Sequence, residues 1–207
     1  MPIGLPFRSV TVLLISVSAC LNAAEPAANT PKGWVLTGPA AHAYSARPDS
    51  TEKHTGKASA LLQSSTPDLD SFGALMQTFS ADNYRGRRIR LSGYLRTRDL
   101  ELWAALWMRV DGPETSSLAF DNMSNRPVRG NTEWSSYQIV LDVPRAAVQI
   151  AYGVTLAGSG RLWVDDLSVE AVGEDVATTD MRQPPVPAKI GVPVGLPSTP
   201  TNTGFEE

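Results

Sequence analysis

Two sets of residues in this chain have types and spacings that suit chemistry. The first is Asp165-Asp166, adjacent carboxylates inside the alternating run of residues 160–169. Asp has poor strand propensity and resists burial, so a pair inside a strand needs donors or a cation to hold it. The second is Trp103, Trp107, Arg109 and Asp111, which share one face of an alternating run over residues 102–111. Tyr94 and Arg96 share a face of the preceding run and are expected beside them. Flat aromatic rings suit the apolar faces of sugars, and planar polar side chains suit paired hydroxyl groups. Asp121 and Asn122 end a further run and enter a loop. They are candidates for ligand contact or for turn capping, the usual work of such residues. The competing reading of Trp103 and Trp107 is plain packing beneath a covering loop, because Trp is usually well buried.

Catalytic constellations are not evident. A glycosidase needs two carboxylates about 5–10 Å apart across a cleft. Asp111 with Asp121, or Asp99 with Glu101, can be named, but nothing singles them out. A Ser/His/Asp arrangement needs a positioned imidazole, and the chain's two histidines, His42 and His54, sit in turn-like stretches. Cys20 is the single cysteine, so neither an internal disulfide nor a zinc-type spacing is possible. Lys and Arg number 18 against 21 Asp and Glu, a net charge of −3, which argues against a nucleic-acid partner. The expectation is a non-enzyme.

The elements that must position these residues read as strands. Period-two alternation covers residues 34–37, 57–63, 73–80, 88–97, 102–111, 117–122, 135–143, 147–156 and 161–172, with glycine-bearing turns between them. About nine short strands in 33–172 predict an all-β antiparallel sandwich of about eight or nine strands. A transmembrane barrel would need longer, more uniform strands with an outward apolar band.

The ends read differently. Arg8 precedes an apolar run over residues 10–17, too short to span a bilayer, and Val17-Ser18-Ala19-Cys20 resembles a bacterial lipobox. Residues 1–19 are expected to be a signal peptide and Cys20 the lipidated first residue of a membrane-anchored protein at the periplasm or cell exterior. Leu21 after the cysteine favours the outer membrane of a two-membrane cell. The alternative is an ordinary signal cut near Ala23 or Ala24, giving a soluble exported protein. Residues 20–32 read as a tether, 173–200 as a Pro-rich extended segment, and 201–207 as a strand-like tail.

The runs of residues 103–112, 118–123 and 126–127, with Thr132-Glu133-Trp134 and the strand of residues 163–169, resemble the galactose-binding-like jelly roll. That domain occurs in bacterial exported proteins and fused to regulators or peptidases. More distantly, the chain is similar to carbohydrate-binding modules that open with Asn-x-Gly-Phe-Glu and close with an Asp-Asp strand. Here the opening signature stands at the far end, as Asn202-Thr203-Gly204-Phe205-Glu206. The tail is therefore expected to return to the vacant first-strand place, with Phe205 in the core and Glu206 near Asp165 and Asp166. The resemblance implies a structural Ca²⁺ held by these three carboxylates, since like charges gather only around a cation. For function it implies a cell-envelope lipoprotein that binds saccharide weakly. The alternative is a structural or protein-interaction sandwich with no sugar ligand. Exposed rings at Trp103 and Trp107 favour the first reading and buried rings the second.

Overall fold

A computed structural model of the chain describes residues 29–181 and 186–207. The segment expected to be a signal peptide, Cys20 and most of the expected tether lie outside the described residues. Among the described residues twelve strands form in chain order: β1 Val35–Thr37, β2 Tyr44–Asp49, β3 Ser59–Ser64, β4 Phe72–Ser80, β5 Arg88–Arg98, β6 Trp103–Asp111, β7 Thr115–Ser116, β8 Ala119–Asp121, β9 Thr132–Asp142, β10 Gln149–Ala157, β11 Arg161–Val172 and β12 Val186–Pro187. One five-stranded antiparallel sheet runs β1-β4-β10-β6-β8, and a second runs β2-β3-β11-β5-β9. The pair forms an all-β jelly-roll sandwich. Among the described residues no helix is long and apolar enough to cross a membrane.

Alternation decides which face of each strand is buried. In β5, Ile89, Leu91 and Leu95 are fully buried while Arg90, Tyr94, Arg96 and Arg98 point outward. In β10, Ile150, Tyr152, Val154 and Leu156 face the core, whereas the other parity carries Ala151, Gly153, Thr155 and Ala157. The core between the sheets joins Leu75, Phe79, Leu106, Met108 and Tyr152 to Leu62, Leu91, Leu95 and Val164.

All nine expected strands coincide with observed ones, within a few residues at their ends. Strand β2 was not expected. Its Pro48 argues against a central strand, yet β2 lies at a sheet edge, where a missing N–H costs no ladder bond. The short β7–β12 ladder was also unforeseen.

Beyond β11 the chain wraps the sandwich. The Thr179 N–H donates to the Val140 carbonyl and the Met181 N–H to the Phe120 carbonyl, both at 2.8 Å. These bonds cover the outer edges of β9 and β8, which would otherwise invite pairing with another chain. Farther along, the Ser80 N–H donates to the Pro197 carbonyl at 2.8 Å. Gln77 then clasps the tail: its Nε2 donates to the Gly33 and Thr201 carbonyls, each at 3.0 Å, and its Oε1 accepts the Thr201 N–H at 2.8 Å. Phe205 is 1% exposed and belongs to the core cluster, as the tail reading expects. The tail enters as a turn rather than a strand, with Phe205 at φ +56° and its N–H on the Asn202 carbonyl at 3.3 Å. Glu206 Oε1 accepts the Lys57 N–H at 2.8 Å. It passes so close to Gly56 that a Cβ there would lie 1.9 Å from Glu206 Oε1. With φ at +59°, Gly56 holds a left-handed turn that favours glycine, and the Glu206 side chain packs against it.

Candidate functional site

The outer face of the first sheet carries a cleft of about 430 Å³, lined by residues that include Phe72, Met76, Trp103, Trp107, Arg109 and Phe120. Its floor is made by the small side chains of β10 and β4. At Gly153 a Cβ would meet the Leu75 carbonyl oxygen at 2.0 Å, so no larger residue can fill that place. Trp107 pairs in register with Gly153, and Trp103 with Ala157, so both indoles rise beside a low strand. Trp103 is half-buried. Trp107 is 9% exposed, which on the ring-exposure expectation counts toward packing, and it stands outside the core cluster between the sheets. Its Nε1 is buried with no hydrogen-bond partner among the described residues. A smaller pocket with Ser124, Pro127 and Arg129 shares Trp103 and Asn122 with the cleft and extends it.

The polar candidates divide. Arg109 lines the cleft while its Nε and Nη2 grip Asp111 at 2.8 and 3.0 Å. Asp111 is fully buried and also accepts the Ser117 N–H and Gln149 Nε2. It orients Arg109 and does not face a ligand. Asp121 is likewise fully buried, accepting the Met123 N–H at 2.7 Å and Arg126 Nη2 at 2.6 Å. That is turn work. Asn122 does both: Oδ1 caps the Ser124 N–H at 3.2 Å, and the residue lines the cleft.

Tyr94 and Arg96 do not join this site. Strands β5 and β6 follow one another in sequence but lie in opposite sheets, so these side chains project from the far face of the sandwich. There Tyr94 stacks on His54 with ring centroids 3.6 Å apart, and Arg96 pairs with Glu52 and Glu133. The expected single face is two faces on opposite sides of the molecule.

The Asp165-Asp166 pair is explained by a register shift in β11 between Asp165 and Ser168, with Asp166 at φ +50°. The bulge turns both carboxylates toward one loop. Asp165 Oδ2 accepts the His54 and Thr55 N–H groups at 2.8 and 3.1 Å, and its Oδ1 the Asp166 N–H at 2.8 Å. Burial nevertheless raises the Asp165 carboxyl above the usual range against these bonds. Asp166 contacts His54 Nδ1 and Thr55 Oγ1, both at 2.6 Å. With Glu206 on Lys57, the three carboxylates are spent on separate donors and do not converge. Among the described residues no group of three or more His, Cys, Asp and Glu is placed to hold a metal ion. The arrangement does not fit the expected Ca²⁺.

Sequence reasoning missed Phe72, Met76 and Phe120 as cleft walls. The readable signal was the parity split in β10, where positions 151, 153, 155 and 157 carry only Ala, Gly and Thr between larger neighbours.

No family model matches the chain. It is 42% identical over 177 residues to the uncharacterized HTH-type transcriptional regulator YbfP of Bacillus subtilis (strain 168). The match takes in 85% of this chain and spans 57% of that relative's length. Among solved structures, the chain is similar to the CBM22-1-GH10 modules of Clostridium thermocellum xylanase 10B complexed with xylohexaose, at TM-score 0.51 and 14% identity over 70% of this chain and 27% of that one. It is also similar to a cyclase from Fischerella sp. TAU, at TM-score 0.52 and 12% identity over 70% of this chain and 86% of that one. At these identities the likenesses establish the sandwich fold, of the kind found in carbohydrate-binding modules.

Proposed function

We propose that this chain is a non-catalytic saccharide-binding module whose cleft lies on the outer face of the first sheet. The observation that carries the reading is Trp107. It is a large indole outside the core, flanking a floor of small residues, with an unpartnered Nε1 beside Trp103, Arg109 and Asn122. Two indoles on an outer sheet face flank a cleft whose floor carries the short side chains of Ala74 and Thr155. A sugar ring supplies an apolar face for the indoles and hydroxyls for Arg109 and Asn122. With few anchors, the dissociation constant is expected on the order of 10 μM to 1 mM. Among the described residues no carboxylate lines the cleft: Asp111 is buried on Arg109 and Asp121 on Arg126. The test is a glycan array probed with the full chain and with Trp107→Ala. A chain that marks no glycan sinks the reading.

A second reading rests on the deep burial of Trp107 and on the name of the similar regulator. On that reading the sandwich binds protein rather than sugar.

The proposal includes the location. The apolar run and the Val17-Ser18-Ala19-Cys20 order support lipidation of Cys20 and a membrane-anchored protein facing the periplasm or exterior. Fractionation of Cys20→Ser beside the wild type tests it. A wild type already soluble after export removes the anchor.

A further inference from the structure

On the opposite side of the sandwich, the outer face of the second sheet holds a depression of about 410 Å³ that belongs to no site described above. Arg47, Arg96, Arg98 and Arg161 rim it, Asp49 and Glu52 line it, and Leu61 and Trp163 form its floor. Strand register explains the cluster. Arg161 of β11 pairs with Arg98 of β5, Trp163 pairs with Arg96 and with Leu61, and Arg47 of β2 pairs with Leu61. Adjacent rows of one outward face thus set four guanidinium groups around one indole. Arg161 lies over the Trp163 ring at 5.5 Å, and Trp163 Nε1 is fixed by Asp49 at 2.9 Å.

Four arginines line the depression against Asp49 and Glu52, and the exposed acids Glu133 and Asp99 bring the cluster to charge balance. The partners the arginines now hold are carboxylates on the rim. Arg98 pairs with Glu133 and Arg161 with Asp99, and these acids are 75% and 69% exposed. Ion pairs so open to water contribute little, so a ligand carboxylate can replace them at low cost. Arg96 Nε, buried beneath its pairs with Glu52 and Glu133, has no hydrogen-bond partner among the described residues. Arginine's planar fork matches a carboxylate through two parallel bonds, which a neutral sugar hydroxyl cannot reproduce.

We infer that this depression is a second binding site, separate from the cleft of Trp107, and that it takes the carboxylate groups of an acidic polysaccharide. Glu133 and Asp99 occupy the positions that the uronate carboxylates of such a chain take when bound. Several forks around one depression suit a polymer that presents carboxylates at regular intervals.

The experiment is retention of the full chain on immobilised polygalacturonate, with neutral xylan and a sulfated polymer as companion matrices. The wild type is expected to be retained on polygalacturonate more strongly than on either companion. Retention should weaken as salt rises from about 50 to about 300 mM, because the contacts are screened. Arg47→Gln with Arg161→Gln alters two side chains that are each 46% exposed, so the fold should persist, and melting curves check this. The double variant should lose about tenfold in affinity, the scale of one or two charge-assisted bonds. Trp107→Ala should leave polygalacturonate retention unchanged, which separates this site from the saccharide cleft. Equal retention of the double variant and the wild type overturns the inference. So does equal retention on the sulfated polymer, which would mean charge attraction without carboxylate recognition, and so does no retention at all.

Discussion

Trp34 and Phe205, from opposite ends of the described chain, pack with ring centroids 5.1 Å apart at an interplanar angle of 41°. Trp34 also meets Tyr152 at 5.3 Å, edge to face, and its Nε1 donates to the Asn202 carbonyl at 3.1 Å. The last residues therefore complete the core beside the first strand. A jelly roll is closed here by a segment that arrives from the far terminus, held by the Gln77 clasp and by Lys32 on Glu207 at 2.6 Å.

It follows that the tail is a stability element. Phe205→Ala should destabilise the fold by about 3–5 kcal/mol, the cost of truncating a fully buried aromatic residue. Deleting residues 201–207 should lower the melting temperature by at least as much as that substitution. A melting curve unmoved by the deletion would show that the docked tail contributes nothing.

Trp107→Ala should abolish binding of a neutral saccharide at the cleft; the indole is 9% exposed, so the substitution also lowers stability, and a melting curve must show that the variant still folds. Arg96→Ala should leave neutral-saccharide binding at the Trp107 cleft intact, because β5 lies in the other sheet. Titration of both variants with whichever glycan the array marks distinguishes them. Loss of folding in Trp107→Ala would assign that indole to packing.

How far the sequence reached is clearest in β5 and β6. Alternation correctly assigned the inward residues of each, because a strand's two faces follow from period two alone. Adjacency did not follow. Consecutive strands usually neighbour one another, but the connection after Arg98 crosses from one sheet to the other, and this moved Tyr94 and Arg96 away from Trp107. Local pattern carries no information about which sheet a strand joins. In the same way, Asp165-Asp166 was legible as an anomaly within a strand. Its resolution depends on His54 and Thr55, brought near only by the fold.

Acid should expose the role of Asp49. Burial works to raise its carboxyl, but hydrogen bonds from Thr51 and Trp163, with the Arg47 charge, outweigh that and bring it down to about 2 from 3.8. A carboxyl lower in the folded than in the unfolded chain contributes stability above its unfolded value and loses it as pH falls through the folded one. Asp49 should therefore contribute up to about 2 kcal/mol near neutral pH. That contribution should fade between about pH 4 and pH 2. Urea melts across this window should show a steep loss in the wild type and a shallower one in Asp49→Asn. Parallel profiles would place the acid sensitivity elsewhere.

Chelation is the last test, and it concerns the Asp165 bulge. Gathering Asp165, Asp166 and Glu206 near one loop would demand a cation if their oxygens faced a common point. They face N–H donors instead: those of His54, Thr55 and Asp166 for Asp165, and that of Lys57 for Glu206. His54 and Thr55 side chains hold Asp166. EDTA should therefore leave the melting temperature unchanged. Asp165→Ala should destabilise by about 2–5 kcal/mol, because it strips the acceptor from three N–H groups at once. A melting temperature that falls with EDTA and returns with added Ca²⁺ would overturn this account, because the carboxylates would then have to turn from these donors toward an ion.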